Sequence, residues 1–254
     1  MDLVTKQQMD THLQGQALVA KTTALQRGMI ATKAKVGFVI DISGSMANEF
    51  ASGTVQEQLE RMFAIAKHFD DDGELDIFVF GTSAKFVGTV NNSNWYDAVR
   101  YEHGTAIILG ERFRLQGGTK YATALEAAYS YYFGSTWDNG SKSFFGSTKR
   151  PTAVKQDYPV FLIFSTDGDN QDQRDTLKLI DKGSQLPLFV QFAAFGRGPF
   201  RGLQQIDDLQ GRYVDNAGMF ETKDFRSVAD KDLYAALLNE FPDWLKATSS
   251  EGWY

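Results

Sequence analysis

The stretch Lys35-Val36-Gly37-Phe38-Val39-Ile40-Asp41-Ile42-Ser43-Gly44-Ser45 decides how this chain folds. Val36 to Ile40 is a continuous apolar run with no polar alternation, the pattern of a strand covered on both faces in a parallel sheet. The run stops at Asp41 and a polar loop follows. Thr54-Val55-Gln56-Glu57 then has the spacing of a capping box. Val55, Leu59, Met62, Phe63 and Ala66 recur at helical intervals. The first unit reads strand, loop, helix.

Outward from this unit the pattern repeats. Leu75 to Phe80 reads as a second strand, with Gly81 to Val90 as a hairpin partner. Asp70-Asp71-Asp72-Gly73 before it reads as a solvated turn closing the helix. Trp95 to Arg100 suggests one or two helical turns, and Thr105 to Leu115 fits neither period. After the break Gly117-Gly118-Thr119, the residues Ala124, Leu125, Ala128, Tyr129 and Tyr132 mark a helix. Pro159 to Phe164 is a second clear buried strand, ended by Ser165-Thr166-Asp167-Gly168-Asp169. A helix through Leu177 and Ile180, a strand from Leu188 to Phe195, a short helix around Leu203 to Leu209 and a small edge strand near Tyr213 follow. Leu233, Ala236, Leu237 and Phe241 mark one closing helix.

Strands alternating with helices predict an α/β protein, a doubly wound and mostly parallel central sheet flanked by helices in the Rossmann-like manner. Residues 1–33 read as a helical N-terminal extension with an apolar face of Leu13, Leu18, Leu25 and Met29. Residues 34–247 form the sheet domain, with a Ser/Gly/Lys-rich loop insertion at 134–157, and 248–254 form a C-terminal tail.

The chain has 254 residues, enough to bury a full core without staples. It has no cysteine, so disulfides and thiolate metal sites are excluded. The formal charge of -6 argues against nucleic acid as the main partner. Lys142, Lys149 and Arg150 are the only basic cluster noted, and they read as a solvated loop. Met1-Asp2-Leu3-Val4-Thr5-Lys6 lacks the pattern of a signal peptide, and no apolar stretch approaches the ~20 residues of a membrane helix. The expectation is a cytoplasmic protein with no membrane span.

In doubly wound sheets, ligands bind beyond the carboxyl ends of the strands. Two of the best strands end in aspartates, Asp41 and Asp167. If these strands are neighbours, the carboxylates meet at one edge and repel, and a cation is the natural third member. Ser43 and Ser45 are two apart, so an extended loop turns their hydroxyls the same way. Thr119 follows two glycines that let the backbone approach closely. An all-oxygen donor set suits a divalent cation, Mg²⁺ first, with Ca²⁺ or Mn²⁺ as alternatives. Two carboxylates balance the ion, and neutral hydroxyls leave it electrophilic enough to take an acidic side chain from a partner.

Asp41-x-Ser43-x-Ser45 with a later threonine and a later Asp-Gly resembles the metal-ion-dependent adhesion site (MIDAS) of von Willebrand factor A (vWA) domains. By that resemblance the metal ligands are Asp41, Ser43, Ser45, Thr119 and Asp167. The stretches from Lys35 to Met46, Phe69 to Glu74 and Leu115-Gln116-Gly117-Gly118-Thr119 look like the vWA domain of bacterial tellurium-resistance (Ter) stress proteins. The resemblance implies a vWA fold and a non-enzymatic, metal-dependent protein-interaction module that grips an acidic residue of a protein partner. It further implies a stress, tellurium-resistance or phage-defence assembly. The 134–157 insertion departs from the family's compact pattern and, because it joins a helix to a strand, should lie at the sheet end away from the metal.

Other readings compete. A Mg²⁺-dependent phosphatase of the haloacid-dehalogenase type also has an aspartate nucleophile ending its first strand, here Asp41, and Asp169 and Asp172 are available as acids. That chemistry places its general acid two residues after the nucleophile, where Ser43 stands. The acids Asp167, Asp169, Asp172 and Asp175 suggest a calcium loop, but Lys178 occupies its twelfth position. His68 and His103 read as structural or surface residues, and Trp244, Trp253 and Tyr254 as cover for a core edge or a partner.

Overall fold

A computed structural model describes residues 3–70, 72–134, 137, 157–250 and 252–254. The strands β1 (Lys35–Asp41), β2 (Leu75–Phe80), β3 (Ala84–Val90), β7 (Val160–Thr166), β8 (Leu188–Phe195) and β9 (Ala217–Thr222) form one sheet in the order β3-β2-β1-β7-β8-β9. All neighbours are parallel except β2 and β3. The order reverses direction between β1 and β7, which makes that junction the switch point where a doubly wound sheet opens a crevice.

Both sheet faces are covered, which is why β1, β2, β7 and β8 are buried along almost their whole length and mostly apolar. On one face α1 (Leu3–Gln26), α3 (Thr54–Phe69), α7 (Asp230–Leu237) and α8 (Phe241–Ser249) cover Val36, Phe38, Ile40, Ile77, Phe161 and Ile163. On the other, α4 (Tyr121–Phe133), α5 (Gln173–Gly183) and α6 (Arg201–Asp207) cover Val39, Phe78, Leu162, Phe164 and Phe192. Each such side chain contributes about 1.5–3 kcal/mol by leaving water. Gly37 has no room for more than a hydrogen, since a Cβ would sit 2.7 Å from both Leu162 Cδ1 and the Tyr132 hydroxyl.

Between β3 and α4 the chain builds a second sheet, β4 (Val99–Glu102), β5 (Thr105–Ile108) and β6 (Glu111–Arg114), ordered β4-β5-β6 and antiparallel. This corrects the helical reading of Trp95 to Arg100 and resolves Thr105 to Leu115. The strands are only four residues long and meet in two-residue turns, His103-Gly104 and Leu109-Gly110, so neither periodicity has room to develop. Both turns hold positive φ at both positions, 49° and 76°, then 49° and 84°, as tight hairpins require.

Several local expectations also change. Thr54 opens α3, but Gly53 is its N-cap and no side chain caps it, so the capping box does not form. Glu57 instead pairs with Arg61 and Arg226. Asp70 is buried and paired with Lys35 at 3.0 Å rather than solvated. In α1, Leu18 and Leu25 face outward, while Leu13, Gln16, Ala20, Thr23 and Ala24 turn inward. Small and polar residues let this helix lie close to α3 and α7, where Arg27 donates to the Ala235 carbonyl at 2.6 Å. Tyr213 lies in a loop, stacked on Trp253, and the edge strand is β9. The closing helix is two, α7 and α8, broken before Pro242, whose missing N–H suits a first turn. Trp253 is buried and Tyr254 shares a 2.8 Å hydrogen bond with Thr248. No helix among the described residues is long and apolar enough to cross a membrane. The insertion reading for 134–157, with Lys142, Lys149 and Arg150, falls almost wholly outside the described residues.

Candidate metal centre

β1 and β7 are adjacent and parallel, with Ile40 opposite Ser165. The two strands therefore deliver Asp41 and Asp167 to one edge at the switch point. Asp41 is fully buried, and its Oδ1 accepts the Ser43 N–H at 2.7 Å, which folds the loop back over the strand end. Its Oδ2 accepts the Thr166 hydroxyl at 2.8 Å. Ser43 Oγ and Ser45 Oγ are 3.0 Å apart, and the Ser45 hydroxyl donates to Asp167 Oδ1 at 2.8 Å. Asp41, Ser43, Ser45 and Asp167 thus form one continuous polar chain across the β1/β7 junction.

Thr119 enters differently. Its loop is fixed by backbone bonds, from Lys120 N to the Gly81 carbonyl at 2.8 Å and from Gln171 N to the Thr119 carbonyl at 2.9 Å. Among the described residues its hydroxyl makes no hydrogen bond to the other four. Gly118 is needed beside it, because a Cβ there would come within 2.7 Å of Gln171 Oε1 and 2.9 Å of Thr82 Cγ2.

Burial pushes Asp41 up to about 6, against the lowering effect of its bonds from Ser43 and Thr166, and repulsion from Asp167 adds to the rise. Burial also raises Asp167, opposed by its bond from Ser45. Among the described residues no lysine or arginine forms an ion pair with either group, and none is among the causes of the two shifts. Two neighbouring carboxylates are thus desolvated with only hydroxyl and amide donors to steady them.

The donor set fits a hard divalent ion. Octahedral Mg²⁺ with oxygens at about 2.0–2.1 Å places adjacent ligands about 2.9 Å apart. The Ser43–Ser45 and Ser45–Asp167 oxygen separations of 3.0 and 2.8 Å match that edge. Among the described residues no group of three or more His, Cys, Asp or Glu is placed to hold a metal, so this candidate depends on its hydroxyls.

Supporting residues on two sides of the site escaped the sequence reading. Thr166 and Tyr121 hold the far side of Asp41: the Tyr121 hydroxyl lies 3.2 Å from Thr166 Oγ1 and also bonds the Gly168 carbonyl. The in-register pairing of β1 with β7 was the only signal for Thr166. Gln116 supports the other side. Its backbone bonds Ile42 and Gly44 at 2.8 Å each, and its side-chain oxygen accepts from Thr82 N, the Thr82 hydroxyl and Ser83 N.

The remaining acids of the 167–175 run are used structurally. Asp172 accepts the N–H groups of Tyr121 and Ala122 at 3.1 and 3.0 Å, where a carboxylate complements the N-terminus of α4. Asp169 accepts the Gly202 N–H at 3.1 Å, and Asp175 pairs with Lys178 at the surface. None of the three joins the Asp41–Asp167 chain. His68 packs on Phe69 and burial lowers its pKa, while His103 sits exposed in the β4–β5 turn.

Comparison with known proteins gives a consistent picture. A family model described as the vWA found in the TerF C terminus matches residues 33–254. The uncharacterized protein YcbR of Bacillus subtilis is 31% identical over 219 residues, 86% of this chain and 80% of that protein. Copine-C of Dictyostelium discoideum is 22% identical over 214 residues, 80% of this chain and 36% of that protein. Among solved structures, proximal thread matrix protein 1 from the mussel byssus matches with TM-scores of 0.50 and 0.51 at 17% identity, the latter with a zinc-occupied MIDAS motif. Each match covers 82% of this chain, which spans about half of those solved chains, 47%.

Proposed function

The chain belongs to the vWA family found at the C terminus of TerF, and from that premise we propose that it is a metal-dependent protein-interaction module rather than an enzyme. A divalent cation, Mg²⁺ first and Ca²⁺ or Mn²⁺ as alternatives, is held by Asp41, Ser43, Ser45, Thr119 and Asp167. The ion's charge offsets the two carboxylates, and the hydroxyl ligands leave it able to take an acidic side chain from a protein partner. The observation that carries this reading is the polar chain that runs from buried Asp41 out to half-buried Asp167 at the switch point, with no lysine or arginine among the described residues paired with either carboxylate.

The zinc-occupied MIDAS of the mussel byssus protein supports a divalent ion at the corresponding place. The family description names TerF, and on that name alone this reading extends to a cytoplasmic tellurium-resistance, stress or phage-defence related assembly. Asp41 serves as an anchor and not a nucleophile in this reading, because Asp169 and Asp172 are committed to backbone N–H groups. Calorimetric titration with Mg²⁺, Mn²⁺ and Ca²⁺ tests it directly. One-site binding that disappears in Asp41→Ala is expected. Absence of binding to all three ions, or turnover of p-nitrophenyl phosphate that is lost in Asp41→Asn, overturns it.

A further inference from the structure

The small sheet β4-β5-β6 has two unlike faces. Paired residues of a sheet share a face. Val99, Ile108, Tyr101, Ala106 and Phe113 therefore point one way, and all join or pack on the main core. Arg100, Ile107, Arg112, Glu102, Thr105 and Arg114 point the other way. Arg100 and Arg112 are 51% and 59% exposed and Arg114 is also exposed, so this second face is open.

Three arginines share that face with one acid. Glu102 lies 3.4 Å from Arg100 and 3.9 Å from Arg112, and Arg114 has no ion pair among the described residues. Glu111 belongs to the other face and is matched by Lys85 at 2.7 Å. The local excess is positive in a chain of net charge -6. Ile107 is only 4% exposed yet belongs to neither core cluster. Its direct neighbours across both ladders are Arg100 and Arg112, whose aliphatic stems are suited to cover it. Such cover restrains the stems, so the guanidinium groups are partly pre-ordered.

This face is fastened to the metal centre at two points. β6 runs from Arg114 directly into Gln116, whose backbone bonds Ile42 and Gly44 of the metal loop. The reverse side of the small sheet is held through Tyr101, stacked 6.0 Å from Phe50 of α2 (Ala47–Ala51), the helix that follows that loop.

We propose that Arg100, Arg112 and Arg114 form a docking surface for an acidic segment of the partner protein, continuous with the metal centre. One carboxylate of that segment reaches the ion and its neighbours meet the arginines. The placement beside the centre rests on the proposed function, while the arginine face does not. Guanidinium groups take carboxylates in paired hydrogen bonds, and a like-charged or neutral segment gains nothing there.

The test uses the whole chain and a short fluorescein-labelled peptide of alternating glutamate and glycine, followed by anisotropy in Mg²⁺ and in EDTA. Binding is expected in Mg²⁺, weakened at least about tenfold by Arg112→Glu/Arg114→Glu and less by Arg112→Gln/Arg114→Gln. Mn²⁺ titration should be unchanged in both variants, since neither residue is a ligand. Equal affinity in the charge-reversed protein overturns the proposal. So does equal binding of a glutamine-for-glutamate peptide, tighter binding of oligothymidylate, or no binding of the glutamate peptide. Binding that survives EDTA yet still depends on the arginines upholds the arginine face and removes the metal reading. Mg²⁺-dependent binding that ignores the arginines does the reverse.

Discussion

At the amino-terminal ends of the strands, Asp70 and Asp76 are buried beside Lys35; at the carboxyl ends, buried Asp41 and half-buried Asp167 sit among hydroxyl and amide donors. Lys35 reaches Asp70 at 3.0 Å and lowers Asp76 from nearby. Asp76 also accepts from Thr89, Tyr132 and Tyr131 at 2.9, 2.9 and 3.3 Å. At the first end the chain itself supplies one cation for two carboxylates. The second end has two carboxylates and, among the described residues, no lysine or arginine paired with them, although the sequence holds 26 such residues. Burying charge without a partner is costly, and the difference is explained if the missing cation comes from solution.

The strongest way to break this comparison is to remove the carboxylate at the open end. Asp41→Ala should lower Mg²⁺ affinity at least about 100-fold, or ~2.7 kcal/mol. Asp41→Asn should do the same while raising the thermal midpoint of the metal-free protein at pH 7, because an amide has no charge to desolvate. Calorimetry and melting with EDTA read both. A midpoint that falls in Asp41→Asn would show that the carboxylate is already satisfied.

A slightly smaller effect comes from giving the open end a cation. Ser45 is exposed and its hydroxyl touches Asp167. Ser45→Lys should place an ammonium beside that carboxylate and weaken Mg²⁺ by about 10–100-fold. The variant's midpoint should no longer respond to added Mg²⁺. A full response would mean the ion sits elsewhere.

The pH dependence sharpens the contrast further. Burial holds Asp41 at about 6 in the metal-free fold, above its ordinary 3.8. Between those values the folded chain keeps a proton that the unfolded chain has released. This group's stabilisation is therefore full below about pH 3.8 and is lost as pH rises through about 6, on the order of 3 kcal/mol. Metal competes with that proton, so the rise in midpoint caused by Mg²⁺ should grow from pH 5 to pH 7. A rise independent of pH would remove Asp41 from the site.

The sequence showed the open end better than the closed one, for a physical reason. Asp41 ends an unbroken apolar run and Asp167 follows another after Ser165-Thr166, so the end of each buried strand announces where the charge stands. Ser43 and Ser45 lie within four residues of Asp41 and need only local geometry. Asp76 sits inside an apolar run, and its partners come from β1, β3 and α4, a long-range arrangement that no short motif encodes. Thr166 stayed hidden likewise, since its role depends on which strand lies beside β1. The small sheet was missed because four-residue strands carry almost no periodic signature, and its turns open on His103 and Leu109 rather than on usual turn residues.

The smallest test lies at the closed end, where Tyr132→Phe removes one hydroxyl from Asp76. The lost bond should cost about 1 kcal/mol. Asp76 is already raised by burial, and the bond from Tyr132 is one of the effects holding it down. Its pKa should rise further in the variant, so the folded chain must give up more on ionising. The deficit should therefore shrink as pH falls and the Asp76 carboxylate takes up its proton. Mg²⁺ should leave that deficit unchanged, because Lys35 already supplies the cation at this end. Recovery of the Tyr132→Phe midpoint in Mg²⁺ would mean that both ends take ions from solution, and the contrast between them would fall.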